Sequence, residues 1–97
     1  MEITEVRVSL QNEEVLKAFV SITFDDEFVV RGLKVIQGSD RMFIAMPARK
    51  RKDGTFQDIA HPINPQMRKY LHETVLAAYE KELAENPEIA EEPAEST

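Results

Sequence analysis

The sequence predicts an α+β fold: an antiparallel sheet of four to five strands followed by one long C-terminal α-helix. Up to about residue 60, apolar and polar side chains alternate over short runs separated by turn residues, as in strands. Residues 64–83 instead repeat their apolar side chains every three or four positions. The remainder is mostly Glu, Ala, Pro, Ser and Thr, a composition typical of disorder. We therefore expect one folded domain over residues 1–84 and a disordered acidic tail over residues 85–97.

The first three strands are predicted by alternation and by the turns between them. Residues 3–10 place their apolar side chains on one face, and residues 15–24 do the same over a longer run. Asp25 and Asp26 form a tight connection to residues 27–37, which are rich in β-branched side chains. The second and third strands therefore form a predicted hairpin.

Two shorter strands are predicted after the third. Residues 42–46 form an apolar run that is too short for a helix and lies between turn residues, so a buried strand is expected. Pro47 ends this strand or marks a sheet edge, because proline cannot donate a hydrogen bond to a neighbouring strand. Residues 55–59 are a candidate for the last short strand.

A single helix is predicted from Asn64 to about Leu83. Asparagine is a preferred N-cap, and Pro65 occupies the first helical position, where proline is favoured. Asn86 and Pro87 stop the helix. The apolar stripe along the helix consists of Met67, Tyr70, Leu71, Thr74, Val75, Ala78, Tyr79 and Leu83.

The charge of the chain is distributed unevenly. The formal net charge is -6, and residues 80–97 account for it with seven Glu and one Lys. Residues 1–30 carry seven acidic against two basic side chains, whereas residues 31–69 carry nine Lys and Arg against three Asp. The acidic balance of the whole chain therefore does not exclude an anionic partner for its middle segment.

The most basic stretch is Arg49, Lys50, Arg51 and Lys52. Four consecutive cations repel one another, so packing does not explain them. Asp53-Gly54 follows as a turn signal, which places the run on a predicted exposed loop. An exposed cluster of cations attracts phosphates, and Arg can also bind guanine edges with two hydrogen bonds. The run therefore predicts a nucleic-acid contact, with surface solubility as the alternative role.

Three further groups near this run are candidates for a function. Arg68 and Lys69 lie in the first turn of the predicted helix, where backbone amides favour anions, so they extend the predicted phosphate surface or simply form a solvated face. Phe56 could stack on an unpaired base, but we expect it in the core beneath the loop. His61 is expected to bond backbone at the junction between strand and helix.

Composition argues against several classes of protein. The chain has no Cys, which removes disulfides, thiolate zinc sites and cysteine nucleophiles. Two histidines eleven positions apart, His61 and His72, are too few for a zinc site, and the acidic triplet of residues 25–27 is expected to be only a turn, away from the binding face. We therefore expect no metal, no cofactor and no enzyme activity. With no signal peptide and no apolar membrane span in the sequence, we expect a cytoplasmic protein.

Several segments of the chain resemble the stage V sporulation protein G (SpoVG) family. The match is closest for Phe43-Ile44-Ala45-Met46-Pro47-Ala48-Arg49-Lys50, for Asp53-Gly54, and for Asp58-Ile59-Ala60-His61-Pro62-Ile63-Asn64. The segments Ile3-Thr4-Glu5-Val6-Arg7-Val8 and Phe28-Val29-Val30 also fit. The resemblance covers about residues 2–83 and leaves out the acidic tail.

The resemblance implies a cytoplasmic bacterial regulator of septation, cell division or sporulation. Several members of the family bind DNA or RNA, and they form homodimers built partly through their sheets. The implied contacts map onto residues 49–52. Many members of the family have Ser at the position of Ala48, where a hydroxyl could donate to a phosphate. The alternatives are a protein-interaction module of the division machinery without nucleic-acid contact, and an enzyme acting on a phosphorylated ligand. The acidic tail is a candidate competitor of nucleic acid for the basic run.

Overall fold

The computed structural model describes residues 1–86, which form six strands and one helix. The α+β fold class with an antiparallel sheet and a C-terminal helix is confirmed. The tail predicted from residue 85 lies, from residue 87 onward, outside the described residues. The elements in chain order are β1 (Ile3–Leu10), β2 (Leu16–Phe24), β3 (Phe28–Gln37), β4 (Met42–Ala45), β5 (Ala48–Lys50), β6 (Phe56–Asp58) and α1 (Pro65–Glu85).

The strands form two separate sheets. The larger is an antiparallel meander in the order β1-β2-β3-β4, and the smaller is the hairpin β5-β6. Asp25 and Asp26 connect β2 to β3 with φ values of 53° and 55°. These angles lie in the left-handed region, where aspartate is among the few residues tolerated. The predicted hairpin of the second and third strands is therefore present, with the tight turn expected for it.

The core lies between the four-stranded sheet and α1. Strand β2 contributes Ala18, Val20, Ile22 and Phe24 from one face, and β3 contributes Leu33 and Val35. The helix contributes every fourth residue to the same cluster, which places them on one side of the helix. These helical residues are Leu71, Val75 and Tyr79. Burial of these side chains supplies most of the driving force for folding.

Both ends of α1 are capped by asparagine. The Asn64 side-chain oxygen accepts a hydrogen bond from the Met67 backbone amide at 2.7 Å, as the sequence predicted for an N-cap. At the other end the Asn86 amide donates to the Leu83 carbonyl at 3.1 Å. The helix therefore ends at Glu85, two residues later than expected. The Tyr70 hydroxyl accepts a bond from the Ile3 amide at 2.9 Å and joins α1 to β1.

A bulge in β3 lies next to Pro47, the residue that precedes the second sheet. Between the pairs Val20 with Leu33 and Ile22 with Val30, β3 has one residue more than β2. Gly32 lies in this bulge with a φ of +89°, a conformation that other residues adopt only with strain. A Cβ atom on Gly32 would lie 3.3 Å from the Cβ of Pro47, which is buried. The bulge therefore lets Pro47 pack closely just before β5 begins.

Candidate nucleic-acid interface

The basic run lies in the β5-β6 hairpin, half in a strand and half in the turn. Arg49 and Lys50 belong to β5, whereas Arg51 and Lys52 lead into the turn. The expectation of a loop throughout was therefore wrong for its first half. The hairpin pairs Arg49 with Gln57 and Lys50 with Phe56. Because paired residues share a face and neighbours alternate, Arg49 and Lys50 point to opposite sides of the hairpin.

A set of short hydrogen bonds fixes the turn between β5 and β6. The Arg51 amide donates to the Thr55 carbonyl at 2.6 Å, and the Gly54 amide donates to the Arg51 carbonyl at 3.1 Å. The Asp53 carboxylate accepts from the Thr55 hydroxyl at 2.7 Å and from the Thr55 amide at 3.0 Å. These bonds, that of the hydroxyl foremost, lower the pKa of Asp53. The ionised aspartate therefore orders the turn that carries Arg51 and Lys52.

The cations of the hairpin are open to solvent. Every residue from 48 to 59 is exposed, including all four basic side chains. Within residues 1–86 the one salt bridge joins Arg7 to Glu5, at 3.2 Å. No carboxylate of the described chain therefore neutralises Arg49, Lys50, Arg51 or Lys52 by direct contact. Their charges remain available to a ligand.

Phe56 does not lie in the core, which corrects the sequence-based expectation. It is 70% exposed, because the hairpin extends from the main sheet rather than packing over it. Its partner across the hairpin is Lys50. Directly opposite side chains in an antiparallel pair have Cβ atoms about 5 Å apart. An aromatic face and an ammonium group are thus presented side by side.

The base of the hairpin is joined to the main body at Pro47. The Ile59 amide donates to the Pro47 carbonyl at 2.7 Å, which closes the hairpin one residue beyond its last ladder pair. Pro47 itself is buried against Gly32. The hairpin is therefore anchored at one end, and its turn, which carries Arg51 and Lys52, is the end farther from the core.

Arg68 and Lys69 lie in the first turns of α1, and both are exposed. They line a shallow depression with Pro65, His72 and Glu73, whereas Arg49 lines another with Gln57, Asp58 and Ile59. The structure thus places Arg49 in a different depression from Arg68 and Lys69. No acidic residue occupies the first turn of α1 and no basic residue its last. This arrangement opposes the helix dipole, which favours anions at the N-terminus.

The remaining candidates have local structural roles. The ring of His61 lies with Nδ1 3.0 Å from the Pro62 carbonyl, a backbone contact at the junction between strand and helix. Asp25 and Asp26 make local bonds to β1 and the residue before it: the Asp25 carboxylate accepts from the Glu2 amide at 2.9 Å, and the backbone amide of Asp26 donates to the Thr4 hydroxyl at 2.9 Å. Within residues 1–86 no three His, Asp or Glu side chains are grouped so as to hold a metal ion.

The sequence analysis did not predict the exposure of three large apolar side chains, Phe28, Ile59 and Ile63, which we call the apolar patch. Phe28 is 67% exposed, Ile59 66% and Ile63 86%. Phe28 also lines an apolar cavity of about 160 Å³ beside the segment that joins β6 to α1. The other lining residues are Met1, Ile22, Phe24, Val30, Met46, Ala60, His61, Pro62, Met67 and Leu71. The signal that could have revealed the patch is Ile63, a large apolar side chain between the last predicted strand and the predicted helix.

Comparisons with known proteins agree with the resemblance seen in the sequence. The SpoVG family model matches residues 1–81. Three similar relatives carry the name "Putative septation protein SpoVG". The relative from Anaeromyxobacter sp. (strain Fw109-5) is 64% identical over 83 residues, which are 86% of each chain. That from Bdellovibrio bacteriovorus is 58% identical over 86% of this chain and 77% of its own. That from Thermoanaerobacter sp. (strain X514) is 57% identical over 84% of this chain and 89% of its own.

These relatives are named for septation, and none of the three names describes an enzyme. Within the described part of the chain, no helix is both long enough and apolar enough to cross a membrane. The matched region contains both the main sheet and the whole β5-β6 hairpin. The acidic end of the chain lies outside the match.

Proposed function

The chain belongs to the SpoVG family, and from this premise we propose that it is a cytoplasmic homodimeric regulator that binds DNA, and also RNA, through the β5-β6 hairpin. The observation that carries the proposal is the exposure of Arg49, Lys50, Arg51 and Lys52 on an ordered hairpin, without a salt bridge to any described carboxylate. The septation named for its relatives is the process in which such a regulator would act.

Phosphate contacts would supply most of the affinity. Each cation that neutralises a phosphate releases condensed counterions, so binding weakens as salt rises. Because Arg49 and Lys50 point to opposite faces of the hairpin, the hairpin fits a groove or a strand that it can contact from both sides. Phe56 beside Lys50 could stack on an unpaired base while the ammonium group binds the adjacent phosphate.

Arg68 and Lys69 are a secondary part of this proposal. Cations near a helix N-terminus cost stability, typically about 0.3–1 kcal/mol for a mismatch with the dipole. An anion bound there would interact favourably with both the side chains and the positive end of the helix dipole. The two residues and His72 line one depression, so a single phosphate could contact more than one of them.

A second copy of the chain is the proposed cover for the apolar patch of Phe28, Ile59 and Ile63. Side chains exposed to 66% or more are unfavourable in water, and the open cavity beside them could receive an apolar side chain of a partner. A symmetric dimer would bury two such patches and present two basic hairpins. Ile63→Asp should shift the oligomeric state towards monomer in light scattering, whereas Ala77→Asp, at an exposed position on α1, should not.

The proposal is tested by fluorescence anisotropy with random-sequence DNA and RNA, both duplex and single-stranded, at two salt concentrations. Replacing all four of Arg49, Lys50, Arg51 and Lys52 with Ala should weaken binding and reduce the slope of log K against log salt. The expected reduction is about 0.9 for each lost phosphate contact on duplex DNA. Unchanged affinity at moderate salt would contradict the proposal.

A matched control separates a local contact from the loss of overall charge. Arg51→Ala with Lys52→Ala removes one Arg and one Lys from the hairpin. Arg41→Ala with Lys81→Ala removes the same two charges from exposed positions elsewhere. If only net charge determines affinity, the two double variants will bind equally. If the hairpin contacts nucleic acid, the variant that lacks Arg51 and Lys52 will bind more weakly than the other.

The alternative is a protein-interaction module of the septation machinery with no nucleic-acid contact. The exposed apolar patch favours it, because Phe28, Ile59 and Ile63 would suit a protein partner as well as a second copy. It leaves the four cations without a role. Absence of binding to every nucleic-acid pool by a correctly folded protein, together with loss of partner capture in Ile63→Asp, would favour this alternative.

A further inference from the structure

We propose that the uncovered face of the four-stranded sheet is a second nucleic-acid contact, at which an unpaired base of a single strand stacks on Phe19. This inference rests on the proposed function and assigns it a further site away from the hairpin. The open face is defined by Arg7, Ser9, Phe19, Ser21, Arg31 and Lys34, which lie on the side of the sheet opposite to α1.

Phe19 is exposed at an unusual place. It lies in β2, which has β1 on one side and β3 on the other, yet it is 42% exposed. Its chain neighbours Ala18 and Val20 are buried on the opposite face beneath α1. Within residues 1–86 the only helix lies on that other face, so an aromatic ring in a central strand faces solvent. A flat ring on an open sheet is a known support for stacked bases.

Cations surround this ring. The register places Lys34 directly beside Phe19 on β3, with Ser9 on its other side. Arg7 pairs with Ser21, two residues further along β2. Arg31 precedes Gly32 in the bulge, and it lines one shallow depression together with Arg7 and Phe19. A base on the ring would thus have cations within reach of its flanking phosphates.

The charge of the open face contrasts with that of the chain. Arg7, Arg31 and Lys34 give this face three positive charges in a protein whose net charge is -6, and within residues 1–86 the one carboxylate that forms a salt bridge with any of them is that of Glu5. Glu5 accepts a bond from Arg7 at 3.2 Å, but both side chains are at least half exposed. Exposed ion pairs of this kind contribute about 0–1 kcal/mol, so a phosphate can compete for Arg7.

Single strands fit this surface better than duplexes or proteins. Bases in a duplex are already stacked and cannot reach a ring in a shallow depression. A protein partner that covered Phe19 would have to place a carboxylate beside each neighbouring cation to offset its desolvation. A single strand satisfies both requirements, because each nucleotide offers a flat base and a phosphate.

The absence of tryptophan from the sequence permits a direct test. Phe19→Trp introduces a single tryptophan on the open face, which can be excited apart from the two tyrosines, and Phe28→Trp introduces one in the apolar patch as a control. Each protein is titrated with oligouridylate and oligothymidylate of roughly 12 nucleotides, a length suited to one binding module, and with a duplex of equal length. Stacking should quench the fluorescence of Phe19→Trp with single strands and leave it unchanged with duplex; Phe28→Trp should respond to neither.

A second pair of variants measures the energetic effect. Phe19→Leu keeps an apolar side chain on the sheet but removes the ring, whereas Phe19→Tyr keeps the ring. Phe19→Leu should bind single strands about 5- to 160-fold more weakly, the range for loss of one stacked base. Phe19→Tyr should bind as the unaltered chain does, and thermal unfolding verifies that both variants are folded.

The outcomes separate this inference from the hairpin proposal. Binding of single strands that depends on residues 49–52, without quenching of Phe19→Trp and without an effect of Phe19→Leu, would overturn the second site and leave the hairpin proposal intact. Failure to bind any nucleic acid would overturn both. A concentration-dependent blue shift of Phe19→Trp emission, with no response to single strands, would show a dimer interface at this face and overturn the inference.

Discussion

The main body and the β5-β6 hairpin differ in what their side chains do. In the main body, β2, β3 and α1 bury a continuous apolar cluster. In the hairpin and the segment after it, every residue from 48 to 59 is exposed, including Phe56 and Ile59. The residue types of the main body are accounted for by the need to bury an apolar core. The residue types of the hairpin are not accounted for in this way, because four cations and two large apolar side chains exposed to water contribute little to stability.

We therefore expect the main body to determine the stability of the fold and the hairpin to determine ligand binding. Removing side chains from the hairpin should leave the fold almost unchanged, and removing them from the core should unfold it. Gly32 and Pro47 are the exceptions, because they belong to the place where the two regions meet. Substitutions in the core, at this junction and in the hairpin therefore test the comparison in order of decreasing effect.

The largest effect is expected for Leu33→Ala in the core. Leu33 is fully buried in β3, so its truncation removes apolar contacts and leaves a cavity. The free energy of unfolding should fall by about 2–5 kcal/mol, measured by denaturant unfolding. Phe56→Ala deletes a larger side chain from an exposed position and should change the same quantity by less than about 0.5 kcal/mol. A large loss of stability in Phe56→Ala would mean that the hairpin is packed in solution.

A smaller effect is expected at the junction. Gly32→Ala forces a Cβ into left-handed backbone, at a cost of about 1–2 kcal/mol, and brings it to 3.3 Å from the Cβ of Pro47. Gly54 is the matched control, because its φ is +92° and a Cβ atom added there would meet nothing within 4 Å. Gly32→Ala should therefore reduce global stability more than Gly54→Ala. Equal losses in the two variants would contradict a special role of the contact with Pro47.

The regular elements could be predicted from the sequence because their signals are local. Alternation located the first three strands, and Asn64 with Pro65 located the start of the helix, where the Asn64 cap is present as expected. The end of the helix was located less well, because Asn86 extends it by capping the Leu83 carbonyl. The division of the strands into two sheets depends on long-range pairing, which alternation does not encode.

The site was only partly predictable. The charge run identified the four cations, but no local signal showed that Arg49 and Lys50 would pair with Gln57 and Phe56. The prediction that Phe56 lies in the core was wrong. Its hydrophobicity suggested burial, whereas burial depends on whether another element covers the residue. The exposure of Phe19 could not be predicted for the same reason, since alternation assigns residues to the two faces of a strand but does not show which face another element covers.

The smallest expected effect is a pH-dependent loss of order in the turn of the hairpin, at Asp53. The hydrogen bonds from Thr55 lower the pKa of Asp53 below the ordinary value of 3.8. Because the folded pKa is depressed, the ordering of the turn is fully present above that value and is lost as pH falls through the lowered pKa. In an NMR titration the Thr55 amide should shift with a midpoint below 3.8, and Asp53→Asn should abolish the shift. The core amides should not follow this transition, because the turn and the core do not share the bonds that are lost. A midpoint at or above 3.8 would mean that the turn is not held by Asp53.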